Sequence, residues 1–192
     1  VSADQDVREL VGQLSAAMKP GGLVIDCSTV SADTARAAAA ELNSKSIDFV
    51  DSPVTGGVEG ARDATLAMLV GGEDKAVERA RPVLQAMGRT VTHFGPVGSG
   101  QAAKAVNQLM CAGIIEAVAE GMAFARAEGL PLEKLIDTLG KGAGSSWYFV
   151  HRAPYMAAGK FPAGFRVRLH EKDLKICREM AARHGVQLPV VE

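Results

Sequence analysis

Lys104, Asn107, Cys111, Ile114, Val118, Met122 and Ala125 succeed one another at i+3 and i+4 steps, the spacing of a single helix face. That face is apolar from Cys111 onward and opens with an amine and an amide. A lysine on a buried face must reach water, find a partner or line a cavity. In a partly desolvated cleft its pKa is depressed, which suits it to passing protons near neutral pH. Asn107, one turn on, could hold the ammonium or a substrate hydroxyl. A solvated lysine in the first turns of a helix fits the spacing equally well, so the residues alone leave both readings open.

Two more segments carry polar groups just after apolar runs. Ser28-Thr29 follows Leu23-Val24-Ile25-Asp26, and Thr55-Gly56-Gly57 follows the run at 47–51. Successive glycines let backbone N–H groups turn toward a ligand, and with the Thr55 hydroxyl they make a small cradle for a carboxylate or phosphate. A Pro-and-Gly turn with a hydroxyl cap is the commoner meaning of such a segment. Gly98-Ser99-Gly100-Gln101-Ala102-Ala103 matches G-x-G-x-x-A and opens a helix. A dinucleotide fingerprint also needs a second strand ending in an acid about 20 residues on, whereas here the helix continues through Glu116 and Glu120. These glycines suit a close turn onto the helix of Lys104; a self-contained mononucleotide site at 98–103 is the rival reading. Lys172-Asp173 is an adjacent charge pair at the start of the last helix, and Trp147 is the only tryptophan. His93, His151, His170 and His184 share no spacing that suggests a metal or a triad, and no metal site is expected.

The elements that must position these groups change character along the chain. Helical spacing at 6–18 is followed by a strand at 23–26, a helix N-capped by Ser31 through Leu42, and a strand at 47–51. Strands at 66–70 and 90–94 flank a helix at 73–87. Strands separated by such helices predict a largely parallel sheet covered by helices. Ligands then bind outside the carboxyl ends of the strands, where Ser28-Thr29 and Thr55-Gly56-Gly57 lie. After Gly100 no strand is predicted: one long helix at 101–128 is followed by helices at 132–139, 146–156 and 170–184. The boundary falls at Pro96–Gly100, giving an α/β part at 1–97 and an all-helical part at 98–192.

Composition narrows the function classes. The 192 residues carry 21 Lys and Arg against 22 Asp and Glu, a net charge of −1, which argues against a nucleic-acid groove or a polybasic membrane surface. The apolar stretch 105–127 is interrupted by Asn107, Gln108, Glu116, Glu120 and Arg126 and is not read as a membrane span. Cys27, Cys111 and Cys177 are scattered, as free thiols are in a reducing compartment, so the expected location is cytoplasmic.

Four segments in order resemble the β-hydroxyacid dehydrogenase family, which includes 3-hydroxyisobutyrate dehydrogenase and tartronate semialdehyde reductase. Asp51-Ser52-Pro53-Val54-Thr55-Gly56-Gly57 is similar to that family's substrate segment, usually D-A-P-V-S-G-G. The segment from Gly98 to Asn107 resembles its catalytic G-x-G-x-x-x-K-x-x-N, Lys172-Asp173-Leu174 its K-D-L, and Ile25-Asp26-Cys27-Ser28-Thr29 the strand end that meets the cofactor. The resemblance implies a partial Rossmann-type sheet followed by a helical substrate and oligomerisation domain. It implies an NAD- or NADP-dependent oxidoreductase moving a hydride to or from a small 3-hydroxy acid. Lys104 would be the general acid/base and Asn107 would position lysine and substrate. Thr55, Gly56 and Gly57 would hold the substrate carboxylate, with Ser146 and Trp147 beside it. Ser28, Thr29, Lys172 and Asp173 would meet the cofactor. The stretch at 144–154 looks like the branch acting on threonate or glycerate derivatives. Partners implied are a small carboxylate and further copies of the chain, as a dimer or tetramer, with no nucleic acid and no membrane.

Two departures qualify what is implied. Ser52 and Thr55 replace the commoner Ala and Ser, and the added methyl could narrow the pocket. The family's G-x-G-x-x-G loop and the residue selecting NAD or NADP are not in this stretch, which reads as an internal fragment that alone would bind cofactor poorly. A non-catalytic relative kept as a dinucleotide-binding or oligomerisation scaffold is the alternative; retention of Lys104, Asn107 and Lys172 speaks for the enzyme.

Overall fold

The structure is a computed structural model and describes residues 1–161 and 164–191. In chain order the elements are α1 (Asp4–Ala17), β1 (Leu23–Asp26), α2 (Ala32–Asn43), β2 (Asp48–Asp51), β3 (Val54–Thr55), α3 (Gly57–Arg62), β4 (Leu66–Gly72), α4 (Asp74–Met87) and β5 (Gly88–Gly95). Four helices follow: α5 (Ser99–Ala127), α6 (Leu132–Leu139), α7 (Trp147–Ala158) and α8 (Val167–Arg183). Among the described residues no strand follows β5.

The sheet runs β1-β2-β4-β3, with β5 also on β4. β1 and β2 are parallel, and so are β4 and β5. Against expectation, β4 runs antiparallel to both β2 and β3, so the sheet is mixed. β2 and β3 are one strand broken at Ser52-Pro53: Val50 faces Gly72, Asp51 faces Gly71, Val54 faces Met68 and Thr55 faces Ala67 in an unbroken register. Pro53 has no N–H to give the ladder, but its carbonyl still accepts from Leu69 N–H at 2.9 Å. The six-residue α3 makes the connection from β3 to β4 too short for a parallel crossover, which takes about a dozen residues, so the chain returns as a hairpin.

By compactness the chain forms two units that divide within α5, not at Pro96–Gly100. The first comprises Val1–Asn107 and Gly164–Val186, the second Gln108–Ala163 and Gln187–Glu192. The start of α5 belongs to the first unit because β2 caps it, as described below, and because Cys177 of α8 donates to the Ala105 carbonyl at 3.4 Å. The two faces of the sheet have separate cores. Phe49 packs with Val7 and Val11 of α1 and Ala35, Ala39 and Leu42 of α2. Val50, pointing the opposite way as strand alternation requires, packs with Met68, Val70, Val77 and Leu84. In the second unit Val118 and Met122 of α5 pack with Ile136, Phe149 and Ala153.

α5 is long and apolar enough, by length and composition, to cross a membrane. Its first three turns nevertheless bury Gln101, Lys104 and Gln108, polar side chains that hydrocarbon would leave unsatisfied.

Candidate active site at the start of the long helix

The site is built from Asp51 upward. This carboxylate ends β2 fully buried, 0% exposed. One oxygen accepts from the Gly98 N–H at 2.8 Å and the other from the Gln101 N–H at 2.9 Å. Asp51 thus satisfies backbone donors that a helix start leaves orphaned and places a negative charge at the positive end of α5. Burial raises its pKa above the usual carboxylate value, and the two backbone donors offset only part of that. The close approach requires glycine on both sides. A Cβ on Gly71 would lie 2.6 Å from Asp51 Oδ1, and one on Gly100 would overlap the Leu69 carbonyl oxygen and lie 2.8 Å from Asp51 Oδ2. Asp51 occupies two of the N–H groups, those of Gly98 and Gln101, that a phosphate at 98–103 would need, which speaks against the rival reading of a mononucleotide site.

Lys104 follows one turn along α5 and is 8% exposed; Asn107, a further turn on, is half-buried. Along the same face Cys111 and Ile114 are half-buried, and Val118, Met122 and Ala125 are buried. The lysine therefore sits at the head of a packed stripe.

A second cluster forms where β1 ends. The Asp26 carboxylate accepts from Ser28 N–H at 2.9 Å. Lys172 donates to the Thr29 carbonyl and lies 2.9 Å from Asp173 Oδ1, the carboxylate being 3% exposed. The structure thus brings Ser28, Thr29, Lys172 and Asp173 together, with α8 supplying the last two. Since α8 begins at Val167, the pair lies in its second turn and does not open it. These four residues, with Asp26 and Cys27, form the polar side of a cavity of about 480 Å³ whose apolar side comes from α1 and β1 with Phe49, Phe165 and Leu169. Lys104, Asn107 and the Thr55 turn do not line it.

Thr55 ends β3, and Gly56 and Gly57 follow with φ of 134° and 68°. Both values are strained for any other residue, so the turn depends on glycine. Ser146 and Trp147 belong to the second unit. Ser146 N-caps α7, accepting from Phe149 N–H at 3.0 Å. Trp147 is 50% exposed, stacks on His151 with ring centres 4.3 Å apart, and has the Arg152 guanidinium 5.1 Å from its ring centre.

One residue with a large structural part was invisible as more than a spacer. Gln101, 1% exposed, donates from Nε2 to the Ser28 carbonyl at 2.8 Å and accepts at Oε1 from Val30 N–H at 3.1 Å. Its partners are about 70 residues away in sequence, and only its place three residues before Lys104 on the same helix face hints at it.

Comparison with known proteins shows the family. Residues 1–95 match the NAD binding domain of 6-phosphogluconate dehydrogenase, and residues 98–192 match the NAD-binding region of NADP-dependent 3-hydroxyisobutyrate dehydrogenase. The Mycobacterium tuberculosis 3-hydroxyisobutyrate dehydrogenase, solved with L-serine, superposes with a TM-score of 0.87 at 35% identity, over 100% of this chain and 68% of that one. The chain belongs to the β-hydroxyacid dehydrogenase family. Within that family it is 38% identical over 193 residues to an uncharacterized oxidoreductase of Shewanella frigidimarina, covering 99% of this chain and 66% of the relative. It is 35% identical over 184 residues to an NAD-dependent L-serine dehydrogenase of Pseudomonas aeruginosa, covering 92% of this chain and 62% of that enzyme. The chain thus spans about two-thirds of the length of these relatives.

Proposed function

We propose that the whole protein is an NAD- or NADP-dependent dehydrogenase of a small 3-hydroxy acid, with Lys104 as its general acid/base. The observation that carries this is a buried lysine, 8% exposed, one turn beyond a helix start fixed by Asp51, in a member of a family whose matched regions are NAD-binding. Lys104 takes the proton from the substrate hydroxyl in oxidation and returns it in reduction. Oxidation needs the amine neutral to accept the proton, and reduction needs it protonated to give the proton back. Asn107 positions the hydroxyl. Thr55, Gly56 and Gly57 hold the carboxylate, and Ser146 and Trp147 are further substrate-binding residues.

The cluster at the end of β1 fits a nicotinamide dinucleotide in its chemistry. It offers the side chains of Ser28 and Thr29 and the Lys172 ammonium beside a half-apolar cavity. Ser28, Thr29, Lys172 and Asp173 hold the cofactor, which when bound supplies the hydride acceptor or donor. In functional terms 1–97 is the dinucleotide-binding part and 98–192 the substrate and oligomerisation part.

The substrate class is a 3-hydroxy acid of the 3-hydroxyisobutyrate, glycerate/tartronate semialdehyde or threonate type. L-Serine, named with both the Pseudomonas and the Mycobacterium proteins, is also a 3-hydroxy acid. The protein acts in the cytoplasm as a homo-oligomer. In protein made from the complete reading frame, Lys104→Ala should lower kcat on the order of 10²-fold or more, with cofactor affinity unchanged by calorimetry. Turnover equal to the parent would remove Lys104 from the mechanism, and no turnover by the parent on any of these acids would favour a scaffold.

A further inference from the structure

Gln101 reaches both sides of Thr29. Its Nε2 holds the carbonyl of the residue before and its Oε1 the N–H of the residue after, while its own backbone N–H is fixed by Asp51. Lys172 takes the carbonyl between them, that of Thr29 itself. Gln101 also lies three residues before Lys104, on the same helix face. One buried side chain therefore spans the β1–α2 loop and the helix of the proton-transfer lysine.

We propose that Gln101 is a positioning residue that sets the loop bearing Thr29 against the helix bearing Lys104. This rests on the dehydrogenase reading above. Hydride transfer needs cofactor and substrate in register within a fraction of an ångström, and a displacement of about 1 Å costs on the order of 10²-fold in rate. An aliphatic residue could fill the same volume but would leave the Ser28 carbonyl and the Val30 N–H, both buried, without their partner. A glutamine supplies one donor and one acceptor on a single rigid plane, which matches the two groups flanking Thr29.

Gln101→Glu separates this role from mere packing. The protonated acid reproduces both bonds; the carboxylate turns an acceptor toward the Ser28 carbonyl. The charged groups around this position are Asp51 on β2, Asp26 on β1, Lys104 on α5, and Lys172 with Asp173 on α8. Burial and Asp51 raise the new acid's pKa above the ordinary glutamate value of about 4.3. The ratio of Q101E to parent kcat should therefore fall by on the order of 10²-fold as pH rises, with parent-like turnover at the acid end. A ratio flat and near one across pH overturns the proposal. Failure of the underlying reading is seen separately, as parent-like turnover in Lys104→Ala.

A second measurement needs no activity. In the parent protein the Val30 amide hydrogen, outside any strand or helix, should exchange at least ten-fold more slowly than expected for an open loop. In Gln101→Met that protection should be lost while the Phe49 and Val50 amides of β2 stay protected. Open-loop exchange of Val30 in the parent overturns the clamp.

Discussion

A methyl group added at Gly100 would overlap the Leu69 carbonyl oxygen and crowd Asp51, whereas one added at Gly12, inside α1, would meet only Glu41 Oε1, at 3.8 Å. Gly100→Ala should therefore lose about 3 kcal/mol, the upper range for forced overpacking. Gly12→Ala should gain about 0.5–1 kcal/mol from helix propensity. Urea denaturation midpoints check both, and equal effects of the two would show that the clasp around Asp51 is loose. At this scale the sequence was partly readable. Lys104, Asn107 and the Thr55-Gly56-Gly57 turn stand out by spacing and residue type. The partners of Asp51 lie 47 and 50 residues away and those of Gln101 lie 71 and 73 residues away, so their hydrogen bonds exist only once the sheet has formed. Such pairings leave no local periodicity to read.

The first two helices are joined by a carboxylate on α1. Asp4 Oδ1 accepts from Ser31 N–H at 3.0 Å, Ser31 Oγ at 2.7 Å and Thr34 Oγ1 at 2.6 Å, so it ties α1 to the start of α2. Partial burial pushes its pKa up, but the bonds from Thr34 and Ser31 outweigh this and hold it below the usual aspartate value. With the folded pKa depressed, its contribution is present above the unfolded value of about 3.9 and is lost as pH falls through the folded value. Asp4→Asn should cost about 1–2 kcal/mol at pH 7, and the difference from the parent should shrink below pH 4. A pH-independent difference in urea midpoints would contradict it. Most elements were legible: the Ser31 cap, β1, α6 and the long helix fall within a residue or two of expectation. β3, two residues long, and α3, six, are too short to carry a period. The reversal of β4 was hidden because alternation reports which face a residue takes, not which way the strand runs.

α5 also presents an uncovered face. Val106, Met110 and Phe124 are 58%, 61% and 66% exposed, and Ala117 and Gly121 continue their row. An apolar helix stripe of this length suits a partner helix, and the proposed homo-oligomer would cover it. Sedimentation velocity on the complete protein should give a dimer or tetramer at micromolar concentration, and Met110→Glu with Phe124→Glu should shift it toward monomer. A parent protein that sediments as a monomer would contradict this. The anion at the head of α5 has a further bearing on how the protein behaves in a cell. Phosphate, citrate and nucleotides vary widely in concentration, and an open helix terminus would sample them. Here the counter-charge is tethered to the same polypeptide, so the surroundings of the lysine stay constant while the metabolite pool around the protein changes.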